Sequence, residues 1–135
     1  MSSDELKKRI ETIETGYEFM LAYAAQGRQT DKGGGSGQKV REYLGNMVAA
    51  LDGLGGVATA AAAAVDRELP KSGHAFFAAV DTDAKVALAA LRLVLARADI
   101  SSQLIDNLNA SIHLRALLTD LFVVDEALRP AQTGG

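Results

Sequence analysis

Apolar residues recur along the first two dozen positions at alternating steps of four and three: Leu6, Ile10, Ile13, Tyr17, Leu21 and Ala24. That spacing lays one stripe along a helix of about six turns. Lys7, Lys8, Glu11, Glu14 and Glu18 take the opposite face. Ser2 and Glu5 stand at capping-box spacing, which would satisfy the free amides of the first turn. From Gly27 to Gly37 the pattern stops. This segment has no apolar side chain to bury, and its glycines raise the entropy cost of ordering, so it predicts a flexible linker.

The next segment, from Tyr43 to Val65, carries a single formal charge, Asp52. It predicts a second helix from about Gln38 to Leu69, stopped by Pro70. Val40, Leu44, Met47, Leu51, Leu54, Ala58, Ala61 and Val65 form its most apolar face. Asp52-Gly53-Leu54-Gly55-Gly56 marks a kink or short break, since glycine costs roughly 1 kcal/mol relative to alanine inside a helix. A helix so bare of charge needs cover on nearly every side. One bundle core supplies cover on one side only. The reading is therefore a homodimer, or another protein partner, packed against the small residues Gly45, Ala49, Gly53, Gly56 and Ala60. The run is also long enough to span a bilayer. Asn46 and Asp52 near its middle, and amphipathic neighbours on either side, argue against a membrane.

A third helix follows Pro70-Lys71-Ser72-Gly73. Phe76, Phe77 and Val80 make an apolar turn, Asp81-Thr82-Asp83 reads as a cap or an interruption, and Leu88, Leu91, Leu95 and Ala98 share a face. A fourth starts at Asp99 or Ser101, both good caps. It carries Leu104, Leu108, Ile112, Leu118, Leu121, Val124 and Leu128, and ends at Arg129-Pro130. No stretch alternates with period two for long enough to argue a strand. The expected fold is all-α: an antiparallel up-and-down four-helix bundle with a flexible glycine-rich loop between its first two helices. One domain covers residues 1–130, with 131–135 as a frayed tail.

Composition narrows the chemistry. Aromatic residues are only 5% of the chain and Trp is absent, so Leu, Val, Ile and Ala must fill the core. A formal charge of −3 argues against a dominant electrostatic grip on nucleic acid. The absence of Cys excludes disulfides, thiolate nucleophiles and Cys-ligated metals. Met1-Ser2-Ser3-Asp4-Glu5 is acidic and has no apolar signal region, which gives a cytoplasmic reading.

Candidate motifs fall short of their templates. Gly33 to Val40 resembles a phosphate-binding loop in composition alone, because Lys39 follows Gln38, precedes Val40, and has no strand before it. A weaker anion site at the start of the second helix would use Arg28, Lys32, Lys39 and Arg41 with free amides. A di-metal carboxylate centre needs Glu three residues before His. Lys71 precedes His74 and Ala110 precedes His113 at that spacing, so no metal or cofactor is expected. Gly35-Ser36-Gly37 lacks the strand-turn-helix setting of a serine nucleophile. The leading expectation is a non-enzymatic accessory, regulatory or assembly protein acting through its surfaces. Two others stand beside it. One is a small-molecule- or cofactor-binding bundle, open to enzymatic activity, with a pocket between helices lined by Tyr17, Tyr43, His74 and His113. The other is phosphotransfer through His113.

Overall fold

A computed structural model describes residues 2–129, Ser2 by its backbone alone. The expected capping box and the tail at 131–135 lie outside the described residues. Within them the chain forms seven helices and no strand: α1 (Ser2–Ala24), α2 (Ser36–Leu51), α3 (Leu54–Val65), α4 (Leu69–Ser72), α5 (His74–Leu95), α6 (Ser102–Ile112) and α7 (Leu114–Ala127). All-α packing is observed. Four uninterrupted rods are not, because the expected second and fourth helices each break.

In α1 the buried line begins as expected at Leu6, Ile10 and Ile13, then turns to Met20 and Tyr23. Leu21 is left 46% exposed and Tyr17 is half-buried. Gly16 explains the turn. A Cβ there would lie 2.2 Å from Met47 Sδ, so the bare backbone lets α2 press against this side of α1.

The break between α2 and α3 falls at Gly53, whose φ of 73° is left-handed and suits glycine. The two helices are bent by 49°. Arg9, on α1, donates to the carbonyls of Ala49 (3.5 Å), Ala50 (3.3 Å) and Asp52, serving acceptors that the end of α2 leaves free. Val40, Leu44, Met47, Leu51, Leu54, Ala58 and Ala61 are buried as read. Val65 is not, at 53% exposure. Nor is the segment covered on nearly all sides: Asn46, Ala49, Gly56, Ala60 and Ala64 are exposed. Within the chain its neighbours are α1 and α5 along both halves and the short α4 against α3.

Pro70 does not stop this helix. The chain leaves helical geometry at Asp66, whose Oδ1 accepts the Glu68 N–H at 2.8 Å. Pro70 then sits in the first turn of α4, where a missing N–H costs nothing. Asp81-Thr82-Asp83 neither caps nor interrupts, since α5 runs through it. Here α5 passes close to α3: a Cβ on Gly55 would lie 2.3 Å from Asp81 Oδ1. Ser101 caps α6 as expected, accepting the Leu104 N–H at 3.0 Å. The fourth helix then breaks at His113, the one described non-glycine residue with positive φ, at 49°.

The two long helices α1 and α5 each pack against α2, α3, α6 and α7. Their inner faces enclose one core in which Leu6, Met20, Leu44, Leu54, Leu91 and Ile105 are fully buried. Among the described residues, no single helix is long and apolar enough to cross a membrane.

Candidate functional site

The connection between α1 and α2 is densely hydrogen-bonded, in a segment expected to be a loose linker. Asp31 is only 8% exposed. Its Oδ2 accepts from Arg41 Nε at 2.7 Å, and its Oδ1 accepts the Ile100 N–H at 2.8 Å. Arg41 also donates to the carbonyls of Leu95 (3.0 Å), Arg97 (2.7 Å) and Ala98 (3.1 Å), where α5 ends and its acceptors fall free. Tyr23 donates its hydroxyl to the Ile100 carbonyl at 2.6 Å. Ser102 Oγ donates to the Tyr23 carbonyl at 2.7 Å and accepts the Arg28 N–H at 2.8 Å. Thr30 donates to Asp99 at 2.6 Å. The loop is thus fastened to the α5–α6 connection, and the physical reason is Asp31, a buried charge that needs partners.

Charge follows geometry here. Burial would raise the Asp31 carboxyl, but hydrogen bonds from Arg41 and the Ile100 amide outweigh it and hold the group below the usual carboxylate range. Burial pushes the Tyr23 phenol up. The Thr30 hydroxyl and the nearby Lys32 ammonium hold the Asp99 carboxyl down.

The four cations read as an anion site are brought near one another, but three of them serve internal acceptors. Arg28 donates to the carbonyls of Thr30 (3.2 Å), Lys32 (3.4 Å) and Gly34 (3.3 Å). Lys32 Nζ lies 3.5 Å from Asp99, and Arg41 is committed as described. Lys39 is exposed on the first turn of α2. The arrangement closes a loop rather than opening a cradle.

The four polar residues assigned to a pocket are dispersed. Tyr17 and His113 share a hollow of about 480 Å³ with Asn109, Arg115, Thr119 and Asp120. His74 lines another of about 590 Å³ between α3 and α5, with Gly56, Ala60, Phe77 and Asp81. Tyr43 belongs to neither, because its ring stacks on Phe19 with centroids 4.1 Å apart. Among the described residues no three His, Asp or Glu side chains gather where a metal ion could sit.

The small residues singled out on α2 and α3 lie on the surface. Ala49, Gly53, Gly56 and Ala60 are exposed and Gly45 is half-buried; a Cβ on Gly45, Gly53 or Gly56 would meet open space. A second surface lies along the outer side of α5. Along α5, Ala75, Ala79, Thr82, Val86, Ala89 and Leu93 are all exposed and none is charged. Their steps of four and three are those of a coiled-coil seam. Val86 is 55% exposed and Leu93 is 69%. The sequence reading of this helix rests on Phe76, Phe77 and Val80 and on the face shared by Leu88, Leu91, Leu95 and Ala98, of which Val80, Leu88 and Leu91 are buried while Phe76 and Ala98 are exposed. The spacing of the outer stripe was the available signal.

Chemically, the latched loop can hold two helix ends together, and the α5 seam can only offer apolar surface. Comparisons of the chain with protein-family models, with curated proteins and with solved structures found no match.

Proposed function

We propose that this protein works by associating with protein, not by catalysis, and that the outer face of α5 is the surface it uses. One observation carries this reading: a helix whose inner face fills the core also exposes an uncharged seam along its length, with Val86 and Leu93 mostly uncovered. Water penalises such a surface in proportion to its apolar area, and association relieves the penalty. In this reading the interrupted pairs α2–α3 and α6–α7 each form one corner of an up-and-down four-helix bundle, with the uninterrupted α1 and α5 as the other two. The role is that of an accessory or assembly factor in the cytoplasm.

A quantitative pull-down tests it, comparing the wild-type chain with Val86→Lys/Leu93→Lys. The expected result is a bound protein lost by the double variant while its helical circular dichroism is unchanged. Equal capture by both chains overturns the reading.

A second reading, a small-molecule site, draws on His113. Its left-handed backbone at the mouth of the hollow shared with Tyr17 is a conformation that non-glycine residues adopt at a cost. Thermal-shift screening against nucleotides, metals and common cofactors tests it, with a response abolished by Tyr17→Phe as the expected result. A flat response across the panel counts against it.

A further inference from the structure

We infer that the hollow beside His113 takes a short zwitterion, a molecule of dipeptide length with an ammonium group at one end and a carboxylate at the other. This inference rests on the small-molecule reading above and names its ligand class.

The hollow follows from the break in the expected fourth helix. Because α1 packs against both α6 and α7, a recess opens beside it where His113 separates the two. Ala110 and Ala116 in its wall are too short to fill it. What remains is about 480 Å³, within the range of roughly 300–1,000 Å³ typical of ligand sites. Tyr17, Asn109, His113, Arg115 and Asp120 all line this space. None of these five side chains makes a hydrogen bond or an ion pair among the described residues. The neighbouring Thr119 hydroxyl, by contrast, is turned back to the Arg115 carbonyl at 2.9 Å.

Charge names the ligand. Arg115 and Asp120 are the charged groups of the wall, and they are opposite in sign. Five residues separate them on α7, which is not the spacing of a side-chain pair, so they do not neutralise each other. An anion would answer Arg115 and be repelled by Asp120; a cation would meet the reverse. A zwitterion answers both. Length follows from the helix. Five residues of α7 rise about 7.5 Å. Two residues of extended chain span about 7 Å, and one spans only half of that. A free dipeptide therefore reaches from the Arg115 fork, with its carboxylate, to Asp120, with its ammonium. Asn109 and His113 stand at the Arg115 end of the hollow as further polar partners, and Tyr17 offers its hydroxyl from α1.

NMR titration of the isotope-labelled full chain with alanyl-alanine is the test. The expected result is saturable shifts of the amides between Asn109 and Asp120. Blocking one end of the probe, as N-acetyl-alanyl-alanine or as alanyl-alanine amide, should weaken binding about tenfold or more, because each form loses a charge-assisted contact. Free alanine should also bind more weakly than the dipeptide. Arg115→Gln should bind alanyl-alanine and its amide equally. Asp120→Asn should bind alanyl-alanine and its N-acetyl form equally. Neither side chain has a partner to lose among the described residues, so both variants should keep the wild-type helical circular dichroism. No binding of alanyl-alanine overturns the inference, and so does binding that ignores either substitution. If the dipeptide fails while another compound raises the melting temperature in a Tyr17-dependent way, the ligand class is wrong and the small-molecule reading stands. A flat response to every compound removes both.

Discussion

The loop from Ala25 to Gly35 and the outer face of α5 treat their neighbours in opposite ways. The loop has almost nothing apolar to bury, yet Arg28, Thr30 and Asp31 bond to Ser102, Asp99 and Ile100 of the α5–α6 connection. The α5 face belongs to a regular helix and leaves its apolar side chains without cover. Order in the first region comes from directional bonds around one buried carboxylate. In the second it comes from a core on the other side of the helix. Hydrophobicity alone therefore misjudges both, calling the loop loose and the helix complete.

The sharpest way to break this contrast is Arg41→Ala. It should cost about 3 kcal/mol in urea unfolding, because the Asp31 carboxylate loses its ion-pair partner and the end of α5 loses its donor. A loss below about 0.5 kcal/mol, as for ordinary surface positions, would mean the loop is not fastened. Gly37→Ala comes next, at about 2 kcal/mol, since the new Cβ would lie 2.4 Å from the Asp31 carbonyl oxygen. Unchanged stability there would show that the loop can give way freely.

Acid sharpens the comparison further. The folded state holds the Asp31 carboxyl below its unfolded value of about 3.9, so its contribution is complete above that pH and fades as pH falls through the folded value. The stability gap between the wild-type chain and Asp31→Asn should therefore narrow as urea titrations move from neutral pH toward pH 3. A gap that widens in acid reverses the sign and removes the account. His113→Gly should stabilise by about 0.5–1 kcal/mol if relief of the left-handed backbone outweighs the flexibility glycine adds to the unfolded chain. Destabilisation would show that the His113 side chain earns its strain. Smallest of all, Leu93→Glu should change monomer stability by no more than about 0.5 kcal/mol. A large loss would mean that Leu93 is covered within the chain.

Much of the fold was legible from spacing, and the failures have identifiable causes. The inner face of α2 and α3 was read almost to the residue because Val40, Leu44, Met47 and Leu51 obey one period. The later half of α1 was misread because Gly16 carries no hydrophobic signal, although it decides that Met20 and Tyr23 turn inward. The break at Gly53 was foreseeable from glycine density. The break at His113 was not, since nothing in Ile112-His113-Leu114 disfavours a helix locally. For the candidate sites, types of residue were legible and their company was not. Arg28, Lys32 and Arg41 read as a cluster in the sequence, but a sequence cannot show that Asp31, Asp99 and carbonyls from the end of α5 lie within reach of them. Tyr17 and His113 share a hollow that Tyr43 and His74 do not enter.

Arg9 spans forty residues of chain to close the last turn of α2. Opening of that turn is thereby coupled to undocking of the amino-terminal helix, and the two should exchange their amide protons as one cooperative unit. Whatever loosens the start of the polypeptide will be reported, deuteron by deuteron, at the elbow where α2 hands over to α3.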